Sequence, residues 1–144
     1  DTRVPLVIRH PRMKSVSGHS KALVELVDLY PTLCELCQLD RPEHLQGKSL
    51  VPVLKNPAAS HRDSAYSSYP HGRGKGQVPV VGHSIRTSRY RYTEWWDKKT
   101  DKPVASVLSD IMADGGETTA VTGKSELKSR LSGQLRQRVL SVRR

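Results

Sequence analysis

The residue types best suited to chemistry fall in three groups along the 144-residue chain. Cys34 and Cys37 form a single Cys-x-x-Cys. A zinc site needs a second thiolate pair or histidines at finger spacing, and a redox motif needs a strand before it and a helix beginning at it. Leu29 to Leu39 already reads as one helix, so both sulfurs are expected on one buried side, the ordinary place for free cysteine. His71, Arg73 and Lys75 lie on the glycine-rich stretch His71-Gly-Arg-Gly-Lys-Gly-Gln77. Arginine grips planar anions through two donors and glycine lets them come close, so these three are candidates for binding a carboxylate or a sulfate. A solvated basic loop is the competing reading. The third group is His83, Arg86, Arg89 and Arg91, followed by Trp95 and Trp96 next to Lys98 and Lys99. Arg86 either meets an anion or covers the sheet, its stem packed and its head hydrated or paired with a helix acid such as Glu25 or Glu35. The two tryptophans either stack on sugar faces or bases, or close a core, and as strand neighbours they must point to opposite sides.

The elements that would position these residues follow from local pattern. Val4 to Ile8 is a short apolar run suited to a strand buried on both faces. Met13 to Ser20 is a polar loop. Asp28 stands where an N-cap would precede a helix over 29–39, with Pro31 in its first turn and Leu29, Leu33, Leu36 and Cys37 as its apolar stripe. Asp40 to His61 holds Pro42, Gly47, Pro52 and Pro57 and reads as loop around the apolar piece Leu50 to Leu54. Ser64 to Tyr69 reads as a strand stopped by Pro70, and 80–87 with 90–96 as a hairpin whose turn lacks Gly or Asn. Asp97 to Gly116 is charged and then irregular, with a turn at Asp114-Gly-Gly-Glu117. From Ser125 onward Leu127, Leu131, Leu135 and Val139 recur every four residues, which predicts a terminal helix weakened by Gly133.

Composition bounds the partners. The net charge is +10, from 24 Lys and Arg against 14 Asp and Glu, which draws anions in general without choosing among them. With 35% hydrophobic residues and no Phe, the core must be made of Leu, Val and Tyr. No stretch is long and apolar enough to span a membrane, and a chain opening on Asp1 reads as part of something longer. The basic C-terminal helix motivates a nucleic-acid- or polyanion-binding module, or a non-catalytic remnant, as alternatives. No helix-turn-helix, finger or RNA-recognition pattern supports nucleic acid as a partner.

Four segments in order resemble the C-terminal region of sulfatases. Arg3-Val-Pro-Leu-Val-Ile8 is similar to the strand after the family's last metal-binding segment. Ala22-Leu-Val-Glu-Leu-Val-Asp-Leu-Tyr-Pro-Thr-Leu33 carries the Asp-x-x-Pro-Thr-Leu signature, with Gly47-Lys-Ser-Leu-Val-Pro-Val-Leu54 downstream. Ala65-Tyr-Ser-Ser-Tyr-Pro70 and Gly82-His-Ser-Ile-Arg-Thr-Ser-Arg-Tyr-Arg-Tyr-Thr-Glu-Trp95 resemble the iduronate-2-sulfatase branch of this alkaline-phosphatase-like superfamily. Val107-Leu-Ser-Asp110 through Asp114-Gly-Gly-Glu-Thr-Thr119 is more distantly similar to the family's tail strand, with Val107, Ser109 and Gly115 departing from it.

The resemblance implies hydrolysis of sulfate esters of sulfated sugars by a formylglycine made from a Cys-x-Pro-Ser-Arg motif, with calcium holding the sulfate. Neither Cys34 nor Cys37 lies in such a motif, and the family's calcium ligands precede the segment matched by Val4 to Ile8. No catalytic residue and no metal ligand is therefore expected here. Calcium is expected in the parent enzyme, outside this chain. The implied partners are the N-terminal sulfatase domain and a sulfated glycan, the implied compartment is exported or lysosomal, and His71, Arg73, Lys75 and Arg86 are the candidate substrate-binding residues. The expected fold is α+β: a small antiparallel sheet packed by one or two helices, with Val4 to Ile8 left over from the N-terminal α/β domain. The expected divisions are 1–20 as the end of that domain, 21–123 as the C-terminal subdomain, and 124–144 as a basic helix or tail.

Overall fold

A computed structural model describes residues 4–11, 13, 18–71 and 79–142, and the chain divides into two compact units, Asp1–Ala65 and Tyr66–Arg144. The first unit holds a single 3-10 turn, Leu26–Asp28, that runs into helix α1, Leu29–Cys37, followed by the short helix α2, Val51–Lys55. Pro31 sits in the first turn of α1, where its missing N–H is no loss. Gln38 adopts a left-handed backbone (φ 57°), and the N–H of Leu39 donates to the carbonyl of Cys34, ending the helix earlier than the apolar pattern predicts.

The rotation of α1 also differs from expectation. Pro31, Thr32 and Cys34 are buried, whereas Leu33 is 57% exposed and Cys37 is exposed. The cause is polar. Asp28 is fully buried, and its carboxylate accepts the N–H of Glu25 at 2.8 Å and of Lys48 at 2.9 Å, together with the Arg62 guanidinium and the His61 ring at 3.2 Å. One turn on, the Thr32 hydroxyl donates to the Asp28 carbonyl and accepts the Leu50 N–H at 2.8 Å. These bonds turn the Asp28–Thr32 side of α1 toward the segment that buries Leu50, Val51 and Val53. Asp28 occupies the N-cap position of α1 without capping it: its side chain serves the turn before the helix and the segments after it. Gly47 is needed for the close approach, because a Cβ there would overlap the Val27 carbonyl. Val4 to Ile8 forms no strand; Val7 is 90% exposed, and an apolar run without a paired neighbour has no ladder to join.

The second unit is the expected sheet with one strand more. β1 (Ala65–His71), β2 (Val80–Arg86), β3 (Tyr90–Asp97) and β4 (Lys102–Asp110) lie side by side in chain order as an antiparallel sheet. β4 falls where the sequence looked irregular. Its first residues are exposed on the sheet's edge, so no alternation is imposed on them. A bulge between Trp95 and Trp96 lets Pro103 and Ala105 flank an extra residue, Val104, and Pro103 is tolerated because β4 is an edge strand. Helix α3, Ser125–Val142, crosses β2 and β3. Its Leu131, Leu135 and Val139 meet Ile85, Tyr92, Trp96 and Leu108 in one core, with Leu127 packed at the margin. The four-residue spacing seen in the sequence is this seam.

Two outcomes follow. Burial pushes the Asp28 carboxyl up, but the Lys48 and Glu25 N–H groups, the Arg62 charge and the His61 bond outweigh it and hold its pKa below the ordinary 3.8. A carboxyl depressed on folding stabilises the native state above its unfolded pKa, and that contribution is lost as pH falls through the lower folded value. D28N should therefore cost about 3–5 kcal/mol at neutral pH and flatten the acid limb of stability, measured by urea unfolding of the full chain at several pH values. Gly133 lies exposed on α3 with nothing within 4 Å of an added Cβ. G133A should raise stability by about 1 kcal/mol, read as a higher urea midpoint at unchanged slope.

Candidate functional site

Tyr92, Glu94 and Trp96 alternate along β3 and so share the face covered by α3. A glutamate in the middle of an apolar triplet must find donors, and it does. Glu94 is 2% exposed; Oε1 accepts the Tyr92 hydroxyl at 2.9 Å and the Ser132 hydroxyl at 2.6 Å, and Oε2 accepts the Trp96 indole N–H at 2.8 Å. Arg136 Nε lies 3.8 Å from Oε2. Burial, with the Glu94 carboxylate beside it, raises the Tyr92 hydroxyl above its usual pKa despite bonds to Ser106 and Ser132, which keeps it a donor. An open recess of about 410 Å³ borders this group, with Ser106, Lys128, Ser129 and Arg136 at its walls. Both carboxylate oxygens are already engaged, so Glu94 is an internal acceptor that ties β3 to α3 and is poorly placed to take a proton from a bound molecule.

His83 stands opposite Glu94 on β2 and is buried with it. Its Nδ1 lies 2.8 Å from the Tyr66 hydroxyl, and its ring meets Trp96 edge-on at 5.3 Å between centroids. Trp96 closes the core, and Trp95 points to the other face, where its indole lies beside Gly82.

That other face carries the arginines. Arg86 and Arg91 are directly opposed across β2 and β3. Arg91 pairs with Glu117 at 2.9 Å. Arg86 makes no ion pair or hydrogen bond among the described residues, and its Nε is buried without a partner. In the first unit, Glu25 is engaged by Arg62 at 3.2 Å. Arg89 in the hairpin turn binds Asp110 through Nε at 3.0 Å and a terminal nitrogen at 2.9 Å, and this bond holds the Asp110 carboxyl below the usual range. Arg89 and Lys124 also lie over the Tyr90 ring, at 5.2 Å and 4.8 Å from its centroid.

Of the candidate residues, His71 is exposed at the end of β1 and Arg86 closes β2. Arg73 and Lys75 lie outside the described residues. The start of β2 lies beside the end of β1, with the Tyr69 carbonyl next to Gly82, and Arg86 is six residues beyond Val80, about 20 Å at strand rise. His71 and Arg86 thus stand at opposite ends of the sheet and form no common site. Glu94 was overlooked, although a charged residue between Tyr92 and Trp96 at core-facing spacing was the signal for it. Among the described residues, no three His, Cys, Asp or Glu side chains come together as metal ligands. E94A would leave the Tyr92, Trp96 and Ser132 donors without their acceptor, and should cost at least about 3 kcal/mol with a shift in tryptophan fluorescence.

The whole chain, residues 1–144, matches the family model described as N-sulphoglucosamine sulphohydrolase, C-terminal. It is 29% identical over 126 residues to an N-acetylglucosamine-6-O-sulfatase of Bacteroides thetaiotaomicron, covering 86% of this chain and 22% of that one. It is 31% identical over 129 residues to arylsulfatase K of Gallus gallus, covering 85% and 23%. A solved structure in complex with its substrate D-glucosamine-2-N,6-O-disulfate superimposes with a TM-score of 0.58 at 25% identity, over 80% of this chain and 23% of that one. A 2-O GAG sulfatase does so with a TM-score of 0.51 at 26% identity, over 80% and 23%. The chain spans less than a quarter of the length of these relatives.

Proposed function

Because the chain belongs to the family of N-sulphoglucosamine sulphohydrolase C-terminal domains, we propose that it serves as the C-terminal part of a sulfatase hydrolysing sulfate esters of sulfated sugars. The observation that carries this reading is the match over all 144 residues to a domain that makes up under a quarter of its relatives. Exposed apolar side chains support it: Leu26, Tyr30 and Leu33 lie along one side of the turn and α1, and Val4, Leu6 and Val7 precede them. Surface of this kind is what further polypeptide would cover.

The described part of the chain supplies architecture to the reaction. The sulfate-attacking group of the parent is proposed to lie outside it, since Cys34 and Cys37 sit in Cys34-Glu-Leu-Cys-Gln on α1 and not in Cys-x-Pro-Ser-Arg. Calcium, which would orient the ester and offset charge on its oxygens, is likewise proposed to be held by the rest of the enzyme. Asp28, Glu94, Asp110, Asp114 and Glu117 do not fit that role, since each is already committed to donors of this chain. Within the family we propose the iduronate-2-sulfatase branch. The stretches Ala65 to Pro70 and Gly82 to Trp95 support it, as does the likeness to a 2-O GAG sulfatase.

The test is turnover of a chromogenic aryl sulfate with calcium, by this chain alone and joined to an upstream sulfatase half. Activity is expected only in the joined form, with 2-O-sulfated uronate preferred over 6-O-sulfated glucosamine. Turnover by the chain alone would overturn the assignment of the nucleophile, and the reverse preference would overturn the branch.

A further inference from the structure

Arg86 and Arg91 pose an electrostatic problem that the described residues solve only in part. Like charges directly opposed on neighbouring strands are destabilising. The next pair outward, Thr87 and Tyr90, is hydrogen-bonded, with the Thr87 N–H donating to the Tyr90 carbonyl at 2.8 Å. The alternation of an antiparallel ladder makes 86 and 91 the close pair, with Cα atoms about 4.5 Å apart. One carboxylate is supplied. Glu117 reaches Arg91 at 2.9 Å from a left-handed backbone (φ 56°), held in a turn where Asp114 accepts the N–H groups of Gly116, Thr118 and Thr119. Arg86 is half-buried and receives no acceptor, and the Nε atoms of both arginines are shut from solvent without partners. The buried Nε–H groups are out of reach of an incoming acceptor, but the terminal nitrogens of Arg86 are not among the buried atoms and face solvent as open donors, on a guanidinium already partly desolvated.

We propose that Arg86 and Arg91 form an oxyanion-binding site that takes a sulfate or carboxylate group, with Glu117 as the carboxylate that an incoming anion meets already bonded to Arg91. Arg86 supplies its two terminal nitrogens as a fork, which matches the planar edge of a carboxylate or two oxygens of a sulfate. The chemistry of the site stands on the chain's own geometry. The proposed function bears only on where the anion comes from: the sulfated sugar, or a carboxylate side chain of the rest of the enzyme.

The test uses the 144-residue chain and inorganic sulfate. Arginine Nε–H resonances are followed by NMR while sodium sulfate replaces sodium chloride at constant ionic strength. The Arg86 and Arg91 signals should move together and saturate. R86Q should abolish the response at Arg91, R86K should weaken it several-fold, and E117Q should strengthen it by removing the competing carboxylate. Absence of a saturable shift in the folded wild-type chain, or an undiminished response at Arg91 in folded R86Q, would overturn the proposal whether or not the parent turns over sulfate esters. In the joined enzyme, R86K raising KM at unchanged kcat would assign the anion to substrate. A lower Tm at unchanged KM would assign it to the enzyme's own carboxylate.

Discussion

The sheet of the second unit is amphipathic, and α3 is the helix that covers it. Leu131, Leu135 and Val139 are removed from water almost entirely, and each contributes about 1.5–3 kcal/mol against the exposed state. Ile85, Tyr92, Trp96 and Leu108 supply the other half of the seam from the three strands β2, β3 and β4. In a chain without phenylalanine there is little else to build a core from, so strand order, the bulge at Trp95 and Trp96, and the placement of the arginine face all depend on this contact.

Where apolar volume is scarce, buried carboxylates take over part of the organising work. Glu94 joins two residues of its own strand to Ser132 of the helix, and Asp28 joins the turn before α1 to segments 20 and more than 30 residues away. A buried carboxylate is tolerable only when donors satisfy it, and each of these is satisfied from several directions. The result is specificity of geometry: an apolar stripe can rotate by a few tens of degrees, whereas a carboxylate with four donors cannot.

The two faces of the sheet then divide the labour. One face is covered by α3. The other presents arginines, and Glu117 is bonded to Arg91. The face under α3 holds the core of the second unit, and in the first unit Leu26, Tyr30 and Leu33 stay exposed.

Much of this was written in local pattern. The four-residue spacing of Leu127, Leu131, Leu135 and Val139 fixes the helix and its buried side, because helical period alone selects that face. The hairpin at 80–97 follows from alternation, and the ordered Asp-x-x-Pro-Thr-Leu and Ser-Ile-Arg-Thr segments were enough to indicate the family. Tertiary structure decided the rest. β4 became a strand because β3 offered it a ladder, although its exposed half shows no alternation of its own. The rotation of α1 was set by hydrogen bonds from Lys48, Leu50, His61 and Arg62, which no count of apolar residues along the helix can include. His71 and Arg86 were both candidates for binding substrate, yet six residues of strand separate the two ends at which they stand. The opposition of Arg86 to Arg91, and the reach of Glu117 to only one of them, exist only once register brings distant residues together. Charge in a sequence is a sum; in a fold it is a set of distances.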